Sequence, residues 1–201
     1  MPPVRASEYN SLRSWEPGNR PVSFWVIVFL MSKARSFEDE YPHLREFKAF
    51  LDLLNKESER GAALIAAAMV DDLLERSLRA FLLDHKEIER LLEGFNAPLG
   101  ALSARALAAF GVGLLSEREY RECERIRKIR NVFAHNVNAS FEDQNTKDIC
   151  ANLEYAARRE GDVHPDPKGL YVTACTSLIL ILTNRPHYAS QRRLRHVDWP
   201  Y

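Results

Sequence analysis

The 201-residue sequence predicts an all-α fold, a compact bundle of about six to seven helices. Three observations carry that expectation. Apolar residues recur at helical spacing in several separate stretches. Gly, Pro, Asn and Ser clusters punctuate those stretches at short intervals. No segment alternates apolar and polar residues over enough positions to claim a strand.

The first helix is expected from Tyr41 to Lys56, with Pro42 in its first turn and Leu44, Phe47, Phe50, Leu51 and Leu54 on one face. A polar break at 57–61 precedes a second helix over 62–83. Its alanines at 62–63 and 66–68 let neighbours approach closely, which marks it as the central buried helix. Asp71, Asp72 and Glu75 form its wetter side. With no histidine or third placed ligand nearby, these acids read as a solvated face or salt bridges rather than a metal site.

Short helices are expected over 86–92, ended by Gly94, and over 102–110, ended by Gly111 and Gly113. Ser116-Glu-Arg-Glu119 is a capping box that starts a fifth helix, ending near Phe133. Tyr120, Cys123, Ile126, Ile129 and Phe133 make its buried stripe. Its six cations (Arg118, Arg121, Arg125, Arg127, Lys128, Arg130) and its glutamates read mostly as a solvated face. A loop over 136–143, a short helix over 146–155 and a loop over 161–167 follow. The last helix, Leu170 to Thr183, is apolar nearly all round and must be buried; Pro186 is expected to stop it, and the Arg-rich end to fray.

Residues 36–190 thus form one helical domain, and 191–201 a polar tail. Residues 1–35 read as a disordered or non-native N-terminal extension, because 1–20 lack a helical period and Met31-Ser-Lys-Ala-Arg looks like an ordinary start. The Phe24–Met31 run is too short to span a bilayer, which takes about 20 apolar residues.

Lys plus Arg equals Asp plus Glu, 28 each, so the formal net charge is zero. That argues against a whole-surface electrostatic grip on nucleic acid. A helix-turn-helix over 102–122 is a weak motif. Glu117 or Glu119 falls where an apolar residue should pack a recognition helix. Sequence-specific DNA contact is therefore not expected. Cys123, Cys150 and Cys175 have neither CxxC nor zinc spacing, and read as reduced, buried thiols in a cytoplasmic protein. No cofactor or metal is expected.

The remaining candidate is Arg130-Asn-Val-Phe-Ala-His135. Arg130 lies four residues after Ile126, at the margin of the apolar stripe, where it should have a partner. Arg130 and His135 are about 140° apart on an ideal helix. They converge only if the helix kinks or ends at Ala134, or if two subunits bring their helices together. A histidine titrating near neutrality beside a fixed guanidinium suits metal-independent RNA cleavage. The plainer reading has Asn131 and His135 capping the helix and Arg130 pairing with a core acid.

Six segments follow one another in order: Asn55-Lys-Glu-Ser-Glu-Arg-Gly-Ala-Ala-Leu-Ile-Ala-Ala-Ala, Asp71-Asp-Leu-Leu-Glu, Ala97-Pro-Leu-Gly, Ser103-Ala-Arg, Gly113-Leu-Leu-Ser-Glu and Ile126-Arg-Lys-Ile-Arg-Asn-Val-Phe-Ala-His135. Together they resemble the mannitol operon repressor (MltR) family. The match runs over residues 46–153, roughly half the chain. It implies a small all-α transcriptional regulator without a recognisable DNA-reading module, acting through a protein partner or a small effector. The last segment also resembles the Arg-x4-6-His motif of HEPN domains. These often dimerise, and many are ribonucleases. That likeness implies Arg130 and His135 as catalytic, Asn131 as assisting, and RNA as substrate. The excess of apolar surface expected from helices two and seven predicts a homodimer, with the Arg130–His135 helix end near its two-fold axis.

Overall fold

The computed structural model describes residues 45–158 and 165–200. The chain divides into two units, Met1–Glu46 and Phe47–Tyr201. The first, with the expected N-terminal extension and the Phe24–Met31 run, lies almost wholly outside the described residues.

All regular structure among the described residues is helical: α1 Arg45–Lys56, α2 Glu59–Phe81, α3 Lys86–Leu92, α4 Leu102–Gly111, α5 Glu117–His135, α6 Gln144–Ala151, α7 Pro167–Thr183 and α8 Arg185–Ser190. Only Asn184 separates α7 from α8, so the bundle has seven helical bodies and a short bent continuation. No described helix is long and apolar enough to cross a membrane.

Helix α2 is the axis of the bundle and packs on α4, α5, α7 and α8. Its close approaches are made by the small residues Ala62, Ala63, Ala66 and Ala67, all buried, while Val70, Leu73, Leu74 and Leu78 fill the space farther along. It starts three residues before the expected Ala62, because the Ser58 hydroxyl accepts a hydrogen bond from the Gly61 amide at 3.0 Å and caps the first turn. Helix α7 also starts earlier than expected, at Pro167. The Asp166 carboxylate accepts from the amides of Lys168 and Gly169, and proline at the first helical positions loses no needed N–H. Tyr171 of α7 is fully buried and donates its hydroxyl to the Ala63 carbonyl at 2.9 Å. Phe133, Phe141 and Tyr171 continue the core as an aromatic run, with centroids 4.7 and 5.3 Å apart.

Two expectations about the C-terminal part are corrected. Pro186 does not end helical structure; it lies in the first turn of α8, where its missing N–H costs nothing. Nor does the chain simply fray after Ser190. The Leu194 amide donates to the Phe81 carbonyl at 2.8 Å, and Arg193 Nε to that of Ala80 at 3.1 Å. These bonds satisfy carbonyls left open at the end of α2.

Helix α6 is displaced toward the N-terminus relative to the expected 146–155. Glu154 and Tyr155 leave the helix because their amides donate to the carboxylate of Glu122, each at 3.0 Å. Phe50, Leu54 and Leu92 complete the core from α1 and α3. The three cysteines are buried and unpaired by disulfide. Burial pushes the thiols of Cys123 and Cys150 up to about 12 and that of Cys175 higher still.

Candidate functional site

The acids of α2 are ion-paired, as the sequence allowed. Arg105, on α4 and only 8% exposed, sets its guanidinium 2.6 Å from Glu75 and 2.9 Å from Asp71. The Asp71 contact is an ion pair without the alignment of a hydrogen bond. Arg105 also donates to the Leu99 and Leu92 carbonyls, at 2.8 and 3.0 Å, so one buried cation locks the 92–100 turn onto α2 and α4. Arg79 bridges Glu75, Glu89 and Glu93, and Asp72 pairs with Arg76. Burial pushes the Glu75 carboxyl up, but Arg79 and Arg105 outweigh it and hold it below the ordinary range. Among the described residues no cluster of three or more His, Cys, Asp or Glu could hold a metal ion.

The capping box at the start of α5 forms as expected: the Glu119 carboxylate accepts from the Ser116 amide at 2.7 Å, and the Ser116 hydroxyl from the Glu119 amide at 3.3 Å. The solvated face expected beyond it holds for Glu117, Arg118, Arg121, Lys128 and Arg130, which are exposed, but not for two of the glutamates. Glu119 and Glu122 are buried, Glu122 completely. Glu119 pairs with Arg185 at 2.6 Å; burial raises its carboxyl, but the Ser116 amide and Arg185 together lower it. Glu122 orders the loop after α6 and lies 3.3 Å from Arg125. Glu119 was singled out as a residue unsuited to a recognition helix, and its partner shows why. The α4–α5 pair is a core hairpin, with α5 packed on α2, α4, α6 and α7.

Helix α5 runs unbroken to His135, two residues past the expected end, with Asn136 as its C-cap. The helix continues one residue beyond Ala134, so it does not end there. Both side chains are exposed. Among the described residues no acid pairs with Arg130. Among the described residues its hydrogen bond goes to the Asn131 amide oxygen, at 3.0 Å. Solvent removes the need for the partner that a buried arginine would require. Among the described residues neither Asn131 nor His135 caps the helix by a side-chain bond. Arg60, from α2, donates instead to the carbonyls of Phe133, Asn136 (2.6 Å) and Val137 (2.7 Å). No local pattern marks Arg60 for this task.

Arg130 and Asn131 share a cleft of about 250 Å³ with Arg127, Asp71 and the turn 100–103. His135 is not among its walls.

No family model matches the chain, and no curated protein matches it. Its fold is similar to that of a chain in the X-ray structure of the MtlR–HPr complex from Escherichia coli. The identity is 24% and the TM-score 0.50, over 71% of this chain and 97% of that one. Identity this low speaks for the fold, which agrees with the architecture expected from the resemblance to mannitol operon repressors.

Proposed function

We propose that this chain is a cytoplasmic regulatory protein of the mannitol operon repressor type, without enzymatic activity, that represses by binding another protein or a small effector and does not itself read bases. The observation that carries the reading is the likeness of its fold to a chain solved in complex with a second protein. By the same likeness, an HPr-type protein is the first partner to try. Calorimetric titration of the full chain with the HPr protein of the same organism should give a saturable heat at micromolar concentrations. No heat at 100-fold higher concentration, together with metal-independent RNase activity, would overturn the proposal.

A second reading is a HEPN-type endoribonuclease with Arg130 and His135 catalytic and Asn131 assisting. It is favoured by the solvent access of Arg130 and His135 and by the Asn131 amide that orients the guanidinium. With α5 unbroken, this site requires a second copy of the chain. A homodimer, with the ends of two α5 helices near its axis, is part of the reading. Incubation with total RNA in EDTA, beside an Arg130→Ala/His135→Ala variant, separates the two functions. Cleavage by the parent alone selects the nuclease. Light scattering at micromolar concentration should then give about 46 kDa, twice the 23.1 kDa of one chain.

A further inference from the structure

The charges of the chain cancel overall, but not along it. Residues 191–200 hold three arginines against one aspartate. Arg193 pairs with Asp84 at 3.1 Å and donates to the Ala80 carbonyl, and beside it the Leu194 amide donates to the Phe81 carbonyl. These bonds fix the segment to the end of α2. Arg192 and Arg195 stand on either side of that anchor. Both are exposed, and among the described residues neither has a carboxylate partner. The same stretch leaves four large apolar side chains in solvent: Trp199 is 80% exposed, Tyr188 and Val197 61%, and Leu194 44%. An indole in water forgoes the burial that most tryptophans have. Arg195 and Trp199 are four residues apart, at most about 14 Å along the chain.

We propose that residues 188–199 bind single-stranded nucleic acid without reading its sequence. The proposal goes beyond the regulatory reading and stands whether or not the chain represses. It is also independent of Arg130 and His135. Cations and exposed rings interleaved over a few residues meet both halves of such a strand. Phosphates pair with Arg192 and Arg195, and an unstacked base lies on the Trp199 indole, with Tyr188 as a second ring. Stacking is indifferent to base identity, which agrees with a chain not expected to contact DNA by sequence. A duplex keeps its bases stacked on one another and offers the indole no face. A membrane surface also attracts cations and an indole. Residues 193–200 form no helix, however, so their backbone N–H and C=O groups would enter the apolar layer unpaired. An acidic peptide would engage the arginines and leave the rings bare.

The test is fluorescence anisotropy of labelled oligo(dT) titrated with the full chain. This probe lacks the 2′-hydroxyl that RNA cleavage needs, so it reports binding alone. Binding should be micromolar at low salt. The logarithm of the affinity should fall with that of salt with a slope of about −1.4, for two phosphates neutralised on a single strand. Arg192→Gln/Arg195→Gln should remove most of that slope. Trp199→Leu should keep the slope and weaken binding about tenfold. Arg90→Gln, a change at an exposed cation of α3, should alter neither. Tryptophan emission should fall as the probe binds the parent and stay constant in Trp199→Leu. Arg193 and Leu194, which anchor the segment, are untouched in every variant, and an unchanged thermal midpoint confirms the fold. Four results would overturn the proposal: no binding by the parent, unweakened binding by Trp199→Leu, an equal loss in Arg90→Gln, or binding of duplex DNA, phosphatidylserine vesicles or polyglutamate as tight as that of the single strand.

Discussion

The guanidinium of Arg60 at the start of α2 is hydrogen-bonded to the backbone carbonyl of Phe133, 73 residues later in the chain. Two further carbonyls, of Asn136 and Val137, accept from the same group. The last carbonyls of a helix have no partners within it and carry partial negative charge. One cation from α2 meets the Phe133 carbonyl and the two that follow the helix end.

Removing that cation should shorten α5. Arg60→Ala is expected to lower stability by about 1.5–3 kcal/mol, the worth of a hydrogen bond to a charged group. The thermal midpoint should fall by roughly 3–10 °C for a domain of this size. Arg60→Lys should recover only part, since one ammonium cannot span three carbonyls. Amide exchange at 132–137 should quicken in Arg60→Ala; an unchanged rate there would refute the capping role.

Stability should depend on pH on the acid side. The carboxyls of Glu75 and Glu119 are held below the ordinary value of 4.5 in the fold, so each contributes stability that is complete above that value. The contribution is lost as pH falls through the lowered values. Urea midpoints should therefore be flat from pH 7 to 5 and drop below about pH 4.5. Glu119→Gln, which leaves Arg185 without its carboxylate, should be less stable at pH 7 and show a shallower acid drop. An identical slope in the variant would exclude Glu119 as a source.

The thiols should be inert in the native state. Burial raises Cys123 and Cys150 to about 12, so almost no thiolate exists at pH 8. An aromatic disulfide reagent should label none of the three cysteines on the timescale in which it labels all three in guanidinium chloride. Rapid labelling of any one in the native protein would contradict the packing of α5, α6 and α7.

Tyr171→Phe isolates a single buried hydrogen bond. The ring stays, but the Ala63 carbonyl loses its 2.9 Å donor. The expected cost is about 1–3 kcal/mol in a denaturant titration, with an unchanged slope. A neutral result would mean that the amide four residues on in α2, which already pairs with this carbonyl, is enough.

Much of the fold was legible because its determinants lie a few residues apart. The alanines of α2 share one face by spacing alone, and Ser116 and Glu119 meet across three residues, so the burial of α2 and the start of α5 could be read directly. The acids of α2 were readable as a solvated or salt-bridged face rather than a metal site, but their buried partner, Arg105, was not. What only the tertiary structure decided is which charges are buried. Glu119 meets Arg185 from 66 residues away, and Glu122 meets the Glu154 amide from 32. On a helix wheel both look like solvated acids. Arg130, in contrast, sits beside the apolar stripe in the sequence and in solvent in the fold. Helical spacing sets the angle between side chains on one helix. Burial depends on which distant segment covers each side chain, and that is set by packing the whole chain together.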